Sequence, residues 1–339
     1  MIYPEFIKQG DYIGVTAPSE GITKEGKLKR LDNGIENIKK LGFNYIETPN
    51  VRTDIDGRSS SAKQRAEEFT SVWNNEDVKS IILAAGGYYE AEVLEYLDFE
   101  KMKSTKQKWI QGFSDSTNLT FLITTLLDTA SIYCDNFASY GMNKLAKNLT
   151  DSLEFMKGNE VIQESFEKYQ KERIDYDIEP FAEYRLDEVV NWKNFKNEPK
   201  LEFEGRALGG CFDILVNLIG TKYDKVKEFI EKYKEDGIVW YFDICDMIDS
   251  SLFMHLLQFK YAGYFENCKG IIFGRVLNIR EDLKISLEEI IEKSIGNLNI
   301  PIILDSDIGH VGPQLAIVNG AIINVTSEKG KGKIATKLK

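Results

Sequence analysis

The chain has 339 residues, 42% hydrophobic and 29% charged, with a formal net charge of −11. That composition supports ample core and two domains and excludes extended disorder. The acidic balance argues against a nucleic-acid partner and against docking on anionic lipid, since both select for Lys and Arg.

No apolar run approaches the roughly 20 residues of a membrane span, and the N-terminus shows no charged segment leading into an apolar one, so no secretory signal is expected. Cys134, Cys211, Cys245 and Cys268 are widely spaced and form no C-x-x-C. They read as reduced core thiols of a cytoplasmic protein rather than a disulfide frame or a zinc site.

In chain order, Asp11 to Ala17 reads as a buried first strand, followed by a helix with Leu28, Leu31, Ile35 and Ile38 on one face and Gly42 at its C-terminal cap. Phe43 to Glu47 is a second strand, and Ser61 caps a helix carrying Ala62, Ala66, Phe69 and Trp73. Lys79 to Ala85 is a third strand ending in Gly86-Gly87, Ala91 to Leu97 is helical, Lys108 to Phe113 is a strand, and so is Ala130 to Cys134. Strand and helix alternate, which calls for a parallel sheet covered on both faces, of Rossmann or flavodoxin type. From about Ser165 to Pro199 the pattern weakens. The second half restarts with the strand Leu201 to Leu208 and Gly209-Gly210, then helices Phe212 to Leu218 and Lys225 to Lys234, and the strand Gly237 to Phe242 that delivers Asp243. A helix Ser250 to Tyr261, a strand Lys269 to Gly274, a helix Ser286 to Ile295 and a strand Ile300 to Leu304 come next. Leu315 to Asn319, Ala321 to Val325 and Gly332 to Thr336 close the chain as antiparallel strands. The expected organisation is an N-terminal α/β domain over 1–165, a connection over 166–199 and a C-terminal α/β domain with some antiparallel strands over 200–339.

In open parallel sheets, chemistry collects outside the carboxyl ends of the strands. Gly86-Gly87, Ser114, Asp243 and His310 all lie there. Gly112-Phe113-Ser114-Asp115 is a strand, a sharp turn and a helix with a serine at the turn, where a hydroxyl can attack a carbonyl and the next N–H can hold the oxyanion. Ser116 stands where the usual G-x-S-x-G elbow has its second glycine. Taken alone, the stretch reads more simply as a capping serine or as Asp115 capping a helix. The chain has two histidines, so a Ser–His enzyme must use one of them. His255 sits inside an apolar helix and reads as half-buried packing. His310 lies in the loop I-G-H-V-G-P, freer to meet a substrate, although without Ser114 it reads as a surface loop histidine. Asp243 can orient a histidine or cap the segment after it, and Asp246 can do either as well. Gly86-Gly87 is a second oxyanion donor or a tight turn, and Gly209-Gly210 serves close packing. Neither nucleotide-binding glycine motif is present.

Together these segments resemble the LD-carboxypeptidases, including the microcin C immunity-type serine peptidases. G-D-Y-I-G-V-T-A-P-S is similar to that family's opening, Gly86-Gly87-Tyr88 to its R-G-G-Y loop, Gly112 to Asp115 to its G-Y-S-D turn, and L-G-G-C with Ile219 to Thr221 to the segment opening its second domain. W-Y-F-D resembles the strand that ends in the family's glutamate, and D-I-G-H its histidine turn. The G-G-C form and the W-Y strand lean toward the microcin-immunity branch. The resemblance implies two α/β domains with the active site between them, no metal, no cofactor and a homodimer. It implies Ser114 as nucleophile, His310 as base and Asp243 as orienting carboxylate, with backbone N–H groups of Asp115, Gly86 and Gly87 as oxyanion hole.

Two departures stand out: Asp243 is one methylene shorter than the family's glutamate, and Ala85 replaces the arginine before Gly-Gly. The expected activity is hydrolysis of a small peptide-like amide, either a microcin C-type aminoacyl or peptidyl nucleotide or the L,D-amide of a muropeptide, through an acyl-enzyme. The alternative is a weakened member that binds a small ligand without cleaving it; an unrelated α/β-hydrolase esterase explains neither the second domain nor D-I-G-H. Trp240 and Tyr241 read as core, with base stacking as the other option.

Overall fold

The computed structural model describes residues 1–338. Two sheets organise them. The first has six strands in the order Ile317–Asn319, Ser131–Tyr133, Trp109–Gly112, Val78–Leu83, Tyr12–Thr16, Asn44–Glu47. All neighbours are parallel except Ile317–Asn319, which runs antiparallel to Ser131–Tyr133. The central strands read as near-continuous apolar runs (V-K-S-I-I-L, for instance, has only Lys79 off the buried class) because helices cover both faces.

The second sheet has eight strands: Ile162–Glu164, Lys331–Lys337, Ile322–Glu328, Lys200–Cys211, Ile238–Asp243, Cys268–Gly274, Ile302–Ser306 and Lys193–Asn194. Its four central strands, from Lys200–Cys211 to Ile302–Ser306, are parallel, and both flanks are antiparallel. The chain is therefore of mixed α/β class, as expected. The sheets are interleaved in sequence. Ile317–Asn319, in the last tenth of the chain, is an edge strand of the first sheet, while Ile162–Glu164 and Lys193–Asn194 edge the second.

Helix signals translate well where a cap and an apolar stripe coincide. Glu25–Lys40 buries Leu31 and Ile38 and ends before Gly42 at φ 90°. In Ala62–Asn74 the Ser61 side chain accepts from the Gln64 N–H, as its sequence position predicts. Glu90–Tyr96 is a 3₁₀ segment rather than an α-helix. Lys147–Met156 is a helix with no counterpart among the sequence expectations.

The helix Thr117–Leu127 matters most. It has Leu119, Phe121, Leu122, Ile123 and Leu127 fully or nearly buried, in one core with Leu208, Phe212, Trp240 and Phe242 from the second half. Each such side chain contributes about 1.5–3 kcal/mol of gross burial. Thr117, Thr120 and Thr124 are buried too, and Thr120 and Thr124 return their hydroxyls to the Ser116 and Thr120 carbonyls at 3.2 Å, so neither hydroxyl is stranded. This helix is gripped from both halves, which fixes the turn that precedes it. Trp240 belongs to this core and Tyr241 to the one on the other face of the strand: Trp240 Nε1 donates to the Tyr264 carbonyl at 2.8 Å and Tyr241 OH to Asn319 Oδ1 at 2.9 Å, and both are fully buried.

Candidate active site

The strand Trp109–Gly112 ends in a turn whose Ser114 has φ 65°, the left-handed region that a residue with a Cβ enters only at a cost of about 1 kcal/mol or more. Packing holds it there. A Cβ on Gly112 would sit 2.6 Å from Ser116 Cβ, so the glycine makes room for the serine that replaces the second glycine of the usual elbow. Asn136 Oδ1 accepts the Phe113 N–H at 3.1 Å. Behind the turn, Asp115 Oδ2 accepts the Ser19 hydroxyl at 2.5 Å and the Glu90 N–H at 2.8 Å. Asp115 is thus a buried tie to the loop after the third strand, not a helix cap. Burial pushes the Asp115 carboxyl up, and pushes the wholly buried Glu90 carboxyl far up with Asp115 adding to it.

His310 lies on the loop after the strand Ile302–Ser306. That loop is pinned by Arg275, which pairs with buried Asp307 and donates to the carbonyls of Val311 at 2.8 Å and Pro313 at 3.1 Å. Trp192 Nε1 donates to the other Asp307 oxygen at 2.9 Å. The result is that His310 Nε2 lies 2.8 Å from Ser114 Oγ, across 196 positions of sequence. Asp243, at the end of the strand Ile238–Asp243 and with no exposed surface, brings Oδ2 to 2.6 Å from His310 Nδ1. The shorter acid reaches because the histidine turn comes to it. Gly309, at φ 94°, stands so near that a Cβ there would lie 2.0 Å from Asp243 Oδ1, and the His310 N–H donates to the same oxygen at 3.2 Å. What suffers is alignment. The carboxylate approaches off the Nδ1–H axis, leaving a close ion pair in which Nδ1 makes no aligned hydrogen bond.

Tyr133 completes the group and is absent from the sequence expectations. Its hydroxyl donates to Asp243 Oδ2 at 2.5 Å and accepts from the Ser114 N–H at 3.4 Å. The pairing of Tyr133 with Gly112 puts it beside the turn. The strand-end argument that selects Ser114 applies equally to Tyr133, and would have found it.

The other candidates fall as follows. Gly86 lies against the serine, a Cβ on it being 3.1 Å from Ser114 Cβ and 3.3 Å from Oγ. Among the described residues, nothing accepts from the N–H groups of Gly86, Gly87 or Asp115. Gly209 and Gly210 serve packing: a Cβ on Gly209 would meet the Tyr241 carbonyl at 2.0 Å, and one on Gly210 would meet Thr117 at 2.6 Å. Asp246 is exposed and pairs with Arg280, and His255 is half-buried beside Gln258, so neither joins the site. A cavity of about 780 Å³ between Asn191–Pro199 and the start of the helix Leu287–Ile295 contains none of the candidate residues.

Burial is the largest single influence on the His310 imidazole and pushes it down, but the Asp243 carboxylate and the Cys245 thiol together outweigh it, and the ring is raised from 6.5 to about 10. Burial also opposes ionisation of Asp243, and the His310 cation, with the hydrogen bonds it receives, outweighs that and holds it below its usual range. A histidine raised in the folded state stabilises fully below its unfolded value, and loses that contribution as pH climbs through the folded one. We therefore expect thermal stability to fall between about pH 6.5 and 10. In thermal melts across that range, the slope should flatten in Asp243→Asn, and an equal slope in both proteins would remove the pair as its cause.

Residues 13–134 match the LD-carboxypeptidase N-terminal domain family and residues 204–325 the LD-carboxypeptidase C-terminal domain family. The chain belongs to the LD-carboxypeptidase family. It is accordingly a hydrolase of serine-peptidase type. The Bacillus subtilis (strain 168) protein YocD, a carboxypeptidase by name, is 24% identical over 350 aligned residues covering 98% of each chain. Two solved structures share the LD-carboxypeptidase fold with this chain. Microcin C7 self-immunity protein MccF, in complex with aspartyl sulfamoyl adenosine, superposes with a TM-score of 0.79 at 20% identity over 99% of each chain. Muramoyltetrapeptide carboxypeptidase from Oxalobacter formigenes gives 0.73 at 18% identity, over 96% of this chain and 98% of its own. Among the described residues of this LD-carboxypeptidase, no helix is long and apolar enough to cross a membrane.

Proposed function

We propose that this LD-carboxypeptidase cleaves a small peptide-like amide with Ser114 as nucleophile, His310 as general base and acid, and Asp243 as the carboxylate that stabilises the histidine cation. The observation that carries the reading is the 2.8 Å contact of Ser114 Oγ with His310 Nε2, with the Asp243 carboxylate at the opposite ring nitrogen. His310 takes the hydroxyl proton as Oγ attacks the carbonyl, returns it to the leaving amine, and then activates the water that releases the acyl group. The unpartnered N–H groups of Asp115 and of the Gly86-Gly87 turn receive the oxyanion. Because the base must be neutral and its ring is raised, kcat/KM rises with pH above the ordinary histidine range.

Gly87 has φ 150°, and a Cβ there would meet Ser19 Oγ at 2.3 Å and Glu20 Cγ at 2.8 Å. Gly87→Ala must move the loop that lies over Ser114. Its expected effect is a fall in kcat of roughly 10²–10³, the usual cost of one lost oxyanion donor, with KM changed much less. Steady-state kinetics on the folded variant checks it, and a loss confined to KM would place the loop in binding instead.

Two substrate classes divide this reading. MccF holds an aminoacyl sulfamoyl nucleoside, which is the aminoacyl-nucleotide class, and the Oxalobacter relative is named for a muramoyl tetrapeptide. Ala85 provides no cation for a substrate carboxylate, and Arg58 nearby is stacked on Tyr89 at 3.5 Å and paired with Glu92. Both favour the aminoacyl-nucleotide class over a free D-Ala carboxylate. The test is a mass-spectrometric digest of a muropeptide tetrapeptide and of an aminoacyl-adenylate mimic with an amide-like link, wild type beside Ser114→Ala. Ser114-dependent cleavage of the mimic alone is expected. Cleavage of the tetrapeptide alone would reverse the choice, and cleavage of neither by folded protein would favour a ligand-binding role, for which the off-axis Asp243 contact is the motive. A cytoplasmic compartment, a homodimer, and division at residues 165 and 199 complete the proposal, resting on the free cysteines and on the family resemblance.

A further inference from the structure

Cys211 ends the strand Lys200–Cys211 and stands opposite Asp243 in the parallel register. Its Sγ, an Asp243 carboxylate oxygen and a His310 ring nitrogen all lie within 4.8 Å of one another. The proposed hydrolysis gives Cys211 no role. His310 Nδ1, on a side chain only 4% exposed, faces this cluster in an ion pair with Asp243 Oδ2 at 2.6 Å and makes no aligned hydrogen bond.

We propose that Cys211 Sγ, Asp243 and His310 Nδ1 form an inhibitory site for a borderline-soft divalent cation of the Zn²⁺ class. Thiolate, imidazole and carboxylate are the donors such an ion takes, tetrahedrally, at about 2.0–2.3 Å. Donors on that tetrahedron are about 3.3–3.7 Å apart. The cluster therefore closes by about 1 Å at its widest, while the 2.6 Å Nδ1–Oδ2 contact opens by about the same, which moves the His310 turn outward from the enclosed Asp243. A water takes the fourth position. Binding to the imidazolium form replaces the thiol proton of Cys211 and the Nδ1 proton of His310, and both leave to solvent. The Nδ1 lone pair then belongs to the metal, and Nε2 keeps its hydrogen and faces Ser114 as a donor. No lone pair is left to accept the hydroxyl proton, so the nucleophile is not activated. The ion is an inhibitor and not a cofactor.

The inhibitory half rests on the reading of His310 as base; the binding half does not, and the test separates them. Full-length reduced protein, stripped of metal, is titrated with Co²⁺. A thiolate-to-cobalt charge-transfer band at one equivalent, displaced by Zn²⁺ and absent from Cys211→Ala and His310→Ala proteins of native circular dichroism, is the expected result. No band in the wild type, or one that survives Cys211→Ala, overturns the site. In parallel, Zn²⁺ alone is expected to inhibit Ser114-dependent hydrolysis reversibly to EDTA. In Cys211→Ala and Cys211→Ser, each scaled to its own zinc-free rate, the half-inhibiting concentration rises about tenfold or more. Inhibition unshifted by either replacement overturns the inhibitory role. If no substrate is turned over at all, the functional reading fails while the cobalt spectrum still decides the site.

Discussion

Replacing Ser114 with alanine is expected to lower kcat by roughly four to six orders of magnitude while leaving the fold unchanged. The side chain contributes one polar atom to the site, the Oγ at 2.8 Å from His310 Nε2, and the turn does not depend on it. The backbone conformation at φ 65° is as costly for alanine as for serine, so the strain is unaltered, and the turn is held instead by Asn136, Asp115 and the buried helix Thr117–Leu127. Stability should therefore move by no more than about 0.5 kcal/mol, the range of changes that touch no core or cap. His310→Ala removes the partner and should cost a similar factor. The double variant should cost no more than either single one, because groups acting as a unit are not additive. Single-turnover rates on whichever substrate the digest selects, with melts run beside them, read both quantities. A Ser114→Ala protein within tenfold of wild type would take the nucleophile away from this turn altogether.

How far the sequence reaches is clearest at Ser114 itself. The pattern around residues 109–118 identifies a strand, a turn and a helix, but a nucleophile and a capping serine have the same local pattern. The distinction lies in His310, 196 positions away, and no periodicity carries that distance. The family resemblance supplies it. In sequence Asp115 reads as a cap or as a backbone donor, whereas its side chain is buried against Ser19 and Glu90, contacts set by tertiary packing. Ile317–Asn319 reads as a closing antiparallel strand, and it is one, but in the first sheet; an edge strand carries the same alternation whichever sheet it joins. The strands Lys193–Asn194 and Ile162–Glu164 are two and three residues long, too short for any period to register. The helix Lys147–Met156 is different. Leu149, Leu153 and Met156 are buried at helical spacing, so its signal is present in the sequence despite the weak pattern around it.

Lengthening Asp243 to glutamate, the residue at the corresponding place in the family resemblance, is expected to impair this protein. The carboxylate is enclosed on every side that matters: Tyr133 OH at 2.5 Å on one oxygen, the His310 N–H at 3.2 Å on the other, and a Gly309 backbone so close that a Cβ there would lie 2.0 Å from Oδ1. The histidine turn has come in to meet a short acid, and one more methylene has nowhere to go. Overpacking of this kind costs about 1–3 kcal/mol. Its relief would push Gly309 and His310 outward, and a displacement of about 1 Å at the reacting groups is worth roughly a hundredfold in rate. Asp243→Asn keeps the volume but discards the charge that supports the histidine cation, so it should lose more, roughly 10⁴ in kcat. Measured kcat and unfolding free energy for the two variants then separate two views of this LD-carboxypeptidase. If Asp243→Glu is slower and less stable, the aspartate and the inward histidine turn are a matched pair, and the chain works with a shorter acid. If Asp243→Glu is faster than wild type, the off-axis contact at His310 Nδ1 is a defect that the longer side chain repairs, and the ligand-binding reading gains the weight that catalysis loses.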